Sequence, residues 1–146
     1  KYAFLKSGVG QDIVFDIERS LSLEGNSGPY LQYTFARTQS VLAKGGQREL
    51  VADEGYKLND AESGILRYLY RFPEIVGEAA NRLSPNLLCT FLYTLAQRYN
   101  TFYNQHSILS ADKEEQKEFR LALTNAVGQV IKNGLYLLGI EATERM

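Results

Sequence analysis

Three residues with planar side-chain groups stand at helical spacing after a glycine-rich turn. The segment EGNSGPYLQYTFAR places Tyr30 and Tyr33 three residues apart and Arg37 four residues later. At about 100° per residue these side chains share one face of a helix, whereas Leu31 and Phe35 share another. Aromatic rings stack on unpaired nucleobases, and arginine stacks on bases or pairs with phosphate. This face is therefore a candidate nucleic-acid surface.

The same spacing has two other interpretations. Tyrosines are often half-buried at the edge of a domain, with the ring packed and the hydroxyl in water. Tyrosine and arginine are also enriched at the energetic centres of protein interfaces. The residues alone leave a structural edge, a protein-docking patch and a nucleic-acid surface open.

The sequence gives little support for a metal site, a catalytic site or a phosphate-binding loop. The single cysteine, Cys89, and the single histidine, His106, exclude zinc sites of the usual composition. Cys89 lies in the apolar run NLLCTFLY and is predicted to be a buried small hydrophobe. His106 is predicted to be a helix-end residue, because no nucleophile pattern accompanies it. Neither GVGQD nor GNSG matches a phosphate-binding glycine motif, so we predict no catalytic residue and no metal site.

The composition predicts one domain of modest charge. The 146 residues are 45% hydrophobic, which suits a single core. The formal net charge is −1, so any nucleic acid must be bound by a local site and not by a broad basic field. No apolar run is long enough to cross a bilayer, and the start lacks a signal-peptide pattern. We therefore expect a cytoplasmic protein without membrane contact.

Prolines, glycines and capping residues divide the chain into helices. Pro29 suits a first helical turn, and Gly45 with Gly46 ends the helix that it opens. Asn59 with Glu62 three residues later is typical of a capping box. These features and the apolar periodicity predict helices over residues 29–44, 59–72, 73–82 and 85–105. They also predict a last helix, which is capped by Ser110 or Asp112 and stops at Gly139.

Three stretches fall outside these long helices. Residues 1–8 resemble the tail of a helix whose beginning is absent, which indicates a piece of a longer protein. The short apolar run from Ile13 to Ile17 predicts a strand or extended chain, and the polar stretch QRELVADEGYKLN predicts a crossing loop. Four to five amphipathic helices with short connections predict an all-α helical bundle.

Four longer segments resemble a known family. They are EGNSGPYLQYTFARTQSVL, FPEIVGEAA, LYTLAQRYNTFYNQHSIL and LALTNAVGQVIKNGLYLLGIEATERM. In this order they are similar to the C-terminal part of an arginyl-tRNA synthetase. The resemblance implies the DALR-type anticodon-binding bundle of a class I synthetase over residues 21–146. Residues 1–20 would then be the end of the catalytic region and its connection. The tetrad D-A-L-R itself is absent, and RLAL, from Arg120 to Leu123, lies in the comparable helix.

The resemblance also implies the site. The residues of this site would hold the anticodon loop of arginine tRNA. Apart from the resemblance, affinity for RNA needs phosphate contacts, for which Arg37 is the first candidate and Lys44, Arg48 and Arg98 are further ones. A related synthetase for cysteine or methionine is a weaker alternative, since NGLYLLGIEATERM favours the arginine member. The implied anticodon-binding residues are Glu24, Gly25, Asn26, Ser27, Tyr30, Tyr33, Arg37, Asn100, Tyr103 and Met146.

The implied enzyme is an arginine–tRNA ligase, which attaches arginine to its tRNA using ATP with Mg²⁺. The HIGH and KMSKS motifs of class I synthetases are absent from these residues, so this chain alone is predicted to be inactive and to bind no cofactor. Its implied partners are arginine tRNA and the catalytic domain of the same chain, in a monomer. A helical protein-interaction module that uses the tyrosine face is the alternative from another functional class.

Overall fold

The computed structural model describes residues 1–46 and 56–144. Within these ranges the chain forms seven α-helices and no strand, which confirms the predicted all-α bundle. Five helices have ten residues or more. None of the described helices combines the length and hydropathy that a membrane span requires. The helices are α1 (Tyr2–Leu5), α2 (Ile17–Leu21), α3 (Gly28–Gly45), α4 (Asp60–Tyr70), α5 (Phe72–Asn81), α6 (Pro85–Gln105) and α7 (Glu114–Leu137).

Local sequence explains where most of the helices begin and end. The Ser27 hydroxyl oxygen accepts a hydrogen bond from the Tyr30 N–H at 3.1 Å and so caps α3, which begins at Gly28, one residue before its predicted start. Gly46 ends α3 with φ +83°, a conformation that favours glycine. The predicted capping box of Asn59 and Glu62 is present at the start of α4. The bounds of α6 are those predicted from its sequence.

One local prediction was wrong in part and another was wrong throughout. In the run from Ile13 to Ile17, predicted to be a strand or extended chain, residues 13–16 form neither strand nor helix and Asp16 has an extended backbone. The helix α2 already begins at Ile17, because the Asp16 side chain caps it by accepting the Arg19 N–H at 3.0 Å. Neither Ser110 nor Asp112 caps α7, which begins at Glu114 without a side-chain cap.

The turn before α7 explains its late start. The Ser110 N–H donates to the Ser107 hydroxyl at 3.2 Å, so residues 107–110 form a turn and Ser110 does not begin a helix. The predicted crossing loop falls mostly on residues 47–55, which lie outside the described residues.

The core lies where α3, α6 and α7 meet. Phe35, Leu92 and Leu123 are fully or almost fully buried there. Cys89 is also buried, as predicted, and burial raises the pKa of its thiol to about 12. Close helix approach depends on small residues, since a Cβ atom at Gly134 would lie 2.5 Å from Leu92 Cδ2.

A buried ion pair joins the smaller helices to this core. Arg120 Nε lies 2.8 Å from Glu62 Oε1, and the side chains are 7% and 0% exposed. The Tyr56 hydroxyl and the Asn59 N–H also donate to the Glu62 carboxylate, at 2.9 and 3.0 Å. Arg120 Nη1 donates to the Ser107 carbonyl at 2.7 Å. The pair therefore fixes α4, α7 and the turn after α6 relative to one another.

We predict that Arg120→Met lowers the free energy of unfolding by about 3–5 kcal/mol, because Glu62 would keep a buried charge without its cation. Urea denaturation at neutral pH measures the change. Arg82→Met is the matched control. It removes an exposed pair with Glu78 at 2.6 Å, which contributes at most about 1 kcal/mol.

Adding Glu62→Gln to Arg120→Met removes the unpaired charge and should recover part of the lost stability. Equal stability of Arg120→Met and Arg82→Met would show that the buried pair does not hold these elements together.

Candidate nucleic-acid interface

Asn100 of α6 joins the candidate surface on α3 by three hydrogen bonds. Its Nδ2 donates to the Tyr30 hydroxyl at 3.0 Å and to Thr34 Oγ1 at 2.9 Å. Its Oδ1 accepts from Arg37 Nη1 at 2.6 Å. Since the two donors of an amide lie on one side and the acceptor on the other, these bonds fix the orientation of the side chain. Asn100 therefore positions Arg37 on the surface.

Arg37 bridges two tyrosine rings. Its Cζ lies 4.9 Å from the Tyr33 ring centroid and 4.8 Å from the Tyr103 centroid, both within cation–π distance. Its Nη2 also donates to the Tyr33 hydroxyl at 3.0 Å. We call Tyr33, Arg37 and Tyr103 the Arg37 stack. It joins side chains of α3 and α6 that are 66 to 70 residues apart in the sequence.

The Arg37 stack is open to solvent and keeps its positive charge. Tyr33 and Tyr103 are 38% and 39% exposed, so each ring has accessible surface. The partners of Arg37 are neutral groups, and no carboxylate from the described residues forms an ion pair with it. Such a surface can stack on planar bases and attract a phosphate.

Tyr30 differs from its helical neighbour Tyr33. It is half-buried, and its ring meets that of Tyr93 at 5.7 Å between centroids with an interplanar angle of 63°. Its hydroxyl accepts from Asn100. Because α6 covers this tyrosine, Tyr30 has less accessible ring surface than Tyr33. It supports the Arg37 stack through its bond to Asn100.

The loop before α3 divides into two parts. Glu24 and Gly25 are exposed, and Gly25 adopts φ +73°. Asn26 Oδ1 accepts from the Tyr2 hydroxyl at 2.7 Å, and the Asn26 carbonyl accepts from Lys6 Nζ at 2.8 Å. Ser27, which caps α3, also donates its hydroxyl to the Ser22 carbonyl. The side chains of Asn26 and Ser27 therefore serve the fold, and the outward residues are Glu24 and Gly25.

The remaining candidates lie in different places. Lys44 is exposed in the last turn of α3. Arg98 packs over the Tyr68 ring, with its Cζ 4.9 Å from the centroid. It lies two residues before Asn100, about 200° around α6, and so faces away from the Arg37 stack. Met146 and Arg48 lie outside the described residues.

Thr34 is the residue that the sequence did not single out. It is fully buried, donates its hydroxyl to the Tyr30 carbonyl at 2.9 Å and accepts from Asn100. Its position one helical turn after Tyr30 is a sequence feature compatible with this role. The partner on α6 is 66 residues away in the sequence, so periodicity within one helix could not reveal it.

We predict that Asn100→Leu lowers the free energy of unfolding by about 1–3 kcal/mol, because it leaves half-buried polar groups of α3 without their partner. Asn104→Leu is the matched control, since it makes the same change at an exposed position one turn later on α6. Thermal or urea denaturation compares the two. Equal stability would show that Asn100 does not organise this surface.

One family matches most of the chain. The model of the DALR anticodon binding domain matches residues 31–146. Among curated proteins, the arginine–tRNA ligase of Phocaeicola vulgatus is 39% identical over all of this chain and 25% of its own length. The arginine–tRNA ligase of Clostridium beijerinckii is 37% identical over 99% of this chain and 26% of its own length. The chain thus spans about a quarter of these relatives.

Solved structures show the same likeness. The arginyl-tRNA synthetase of Thermus thermophilus superposes with a TM-score of 0.90 and 34% identity, over 99% of this chain and 25% of its own. A protein from Campylobacter jejuni described as a putative arginyl-tRNA synthetase gives 0.86 and 27% identity, over 99% and 32%. The resemblance seen in the sequence is therefore confirmed.

Proposed function

Because the chain belongs to the DALR anticodon binding domain family, we propose that it binds the anticodon loop of a tRNA through the Arg37 stack. The observation that carries this proposal is the stack itself. Two accessible tyrosine rings are held in place by an arginine whose charge no described carboxylate neutralises. Asn100 bonds to the arginine, and Tyr30 and Thr34 fix the orientation of Asn100.

The chemistry of an anticodon loop fits this surface. Bases of a single-stranded loop can be unstacked and received by aromatic side chains, whereas bases inside a duplex cannot. Each base that stacks on an aromatic ring contributes about 1–3 kcal/mol to binding. Recognition of this kind needs local rings more than a strong net charge, which agrees with a chain of formal charge −1.

We further propose that the tRNA is arginine tRNA and that the chain works as part of an arginine–tRNA ligase in the cytoplasm. The support is its likeness to proteins of that name, of which it spans about a quarter. ATP, Mg²⁺ and the catalytic domain then belong to the remainder of such an enzyme, which acts as a monomer. Anticodon binding here would place the distant acceptor end of the tRNA in the catalytic domain.

The first twenty residues support the proposal that this chain adjoins a catalytic domain. Lys1 and Tyr2 are tied to the bundle, with Lys1 Nζ donating to the Gly139 carbonyl at 2.6 Å. The residues that follow expose an unusual amount of apolar surface for a free domain face. We propose that the catalytic domain covers it. The exposed side chains are those of Phe4, Val9, Ile13, Val14, Phe15 and Ile17.

We predict that Tyr33→Ala weakens binding of an RNA hairpin with the arginine anticodon loop by about 5- to 150-fold, the loss of one stacked base. Fluorescence anisotropy at fixed salt measures the affinity. Tyr136→Ala is the matched control, because it removes an equally large ring that is 80% exposed on α7. Circular dichroism verifies that both variants keep the fold.

A hairpin altered only at the middle anticodon base should bind less well to the unmodified chain. Unchanged affinity for Tyr33→Ala would contradict the proposal. Association of the chain with another protein that is insensitive to added tRNA, observed by cross-linking and by size, would instead favour a protein-interaction module.

A further inference from the structure

A pocket of about 280 Å³ opens beside the Arg37 stack. It lies where the last turns of α3 face the end of α6 and the turn that follows it. Its volume is close to the lower end of the range for small-molecule sites, about 300–1,000 Å³. The residues that line it include Ser40, Lys44, Tyr103, His106, Ser107 and Ile108.

The pocket continues the same face of α3. Tyr33, Arg37, Ser40 and Lys44 are spaced by four, three and four residues, which is the spacing of one helical face. Lys44 therefore lies about 10 Å beyond Arg37 along the helix. A strand of RNA that follows this face passes from the Arg37 stack into the pocket.

Two rings give the pocket planar walls. Tyr103 belongs to the Arg37 stack and also lines the pocket, so one ring serves both places. The His106 ring also lines it and packs against the buried Phe102, with 5.2 Å between centroids. A nucleobase in the pocket would meet an accessible tyrosine and an imidazole held in place.

The polar groups of the pocket favour a phosphate-bearing ligand. Lys44 is exposed and forms no ion pair with any described residue. No carboxylate is among the described residues that line the pocket. Ser40 and Ser107 add hydroxyl groups, which can bond to a base edge or a ribose.

The walls are fixed by the interior of the bundle. The Ser107 carbonyl accepts from Arg120, which the buried Glu62 holds in place. Ile108, the next residue, is 4% exposed and belongs to the core. The pocket is thus preformed, which reduces the entropy lost when a ligand binds.

We propose that this pocket is a second nucleotide subsite. It receives the loop nucleotide next to the base on the Arg37 stack, with the base against Tyr103 and His106 and the phosphate at Lys44. The inference rests on the proposed function and deepens it. It makes Ser40, Lys44 and His106 contacts for RNA.

Filling the pocket tests the base contact. Ser40→Leu places a larger apolar side chain on the wall of the pocket, and Ala43→Leu makes a similar change at an exposed position of α3 that does not line it. The probe is the RNA hairpin with the arginine anticodon loop. We expect Ser40→Leu to weaken binding at least about fivefold, the loss of one stacked base, and Ala43→Leu to leave it unchanged.

The salt dependence tests the phosphate contact. Removal of one contact to single-stranded RNA reduces the slope of log affinity against log salt by about 0.7. We expect this reduction for Lys44→Ala. Lys132→Ala is the control, since this exposed lysine lies about 16 Å along α7 from Leu121, which packs near the end of α3.

The outcomes separate this inference from the proposed function. If Tyr33→Ala weakens binding while Ser40→Leu and Lys44→Ala behave like their controls, the second subsite is overturned and anticodon binding stands. If none of the three variants changes binding, both proposals are overturned. A loss for Ser40→Leu together with a smaller salt slope for Lys44→Ala supports the subsite.

Discussion

The buried ion pair of Glu62 and Arg120 is the constraint on which the rest of the bundle depends. Removing two charges from water is costly, and the cost is offset here by their mutual bond and by further hydrogen bonds, from Tyr56 and Asn59 to the carboxylate and from the guanidinium to the Ser107 carbonyl. The pair joins α4 and α7, and it holds the turn after α6. That turn forms one wall of the surface pocket, so a charge pair in the interior determines the shape of a candidate RNA contact.

The helix α3 contributes to the core and to the surface at once. Leu31 and Phe35 are buried, while Tyr33 stays accessible. The two faces are joined by Asn100 on α6, which bonds to α3 and to the guanidinium of Arg37. A long arginine side chain normally loses much rotamer freedom on binding, and here the fold has already restricted it. The packing of α3 on α6 therefore prepares the surface before any ligand arrives.

The sequence predicts local features better than those that depend on distant residues. Proline and glycine positions predicted both bounds of α3 and the start of α6 to within one residue, and apolar periodicity predicted the end of α6 and separated Leu31 from Tyr33. It did not show that Tyr30 is covered while Tyr33 is accessible, because Tyr93 and Asn100, which cover Tyr30, come from another helix. Nor did it place the start of α7, since the preceding turn is held by a buried arginine. Contacts between distant parts of the chain determine both the burial of Tyr30 and the start of α7.

A chain of net charge −1 has no broad basic field that could supply the affinity for RNA. With the Arg37 stack and the second subsite both occupied, Arg37 and Lys44 would neutralise two phosphates, which gives a salt slope of only about −1.4 for a single strand. Most of the affinity must then come from stacking on Tyr33 and Tyr103. Stacking requires bases that are already unpaired, whereas a basic surface would attract any duplex. The low charge therefore favours selection of a loop over the many double-stranded segments that compete with it.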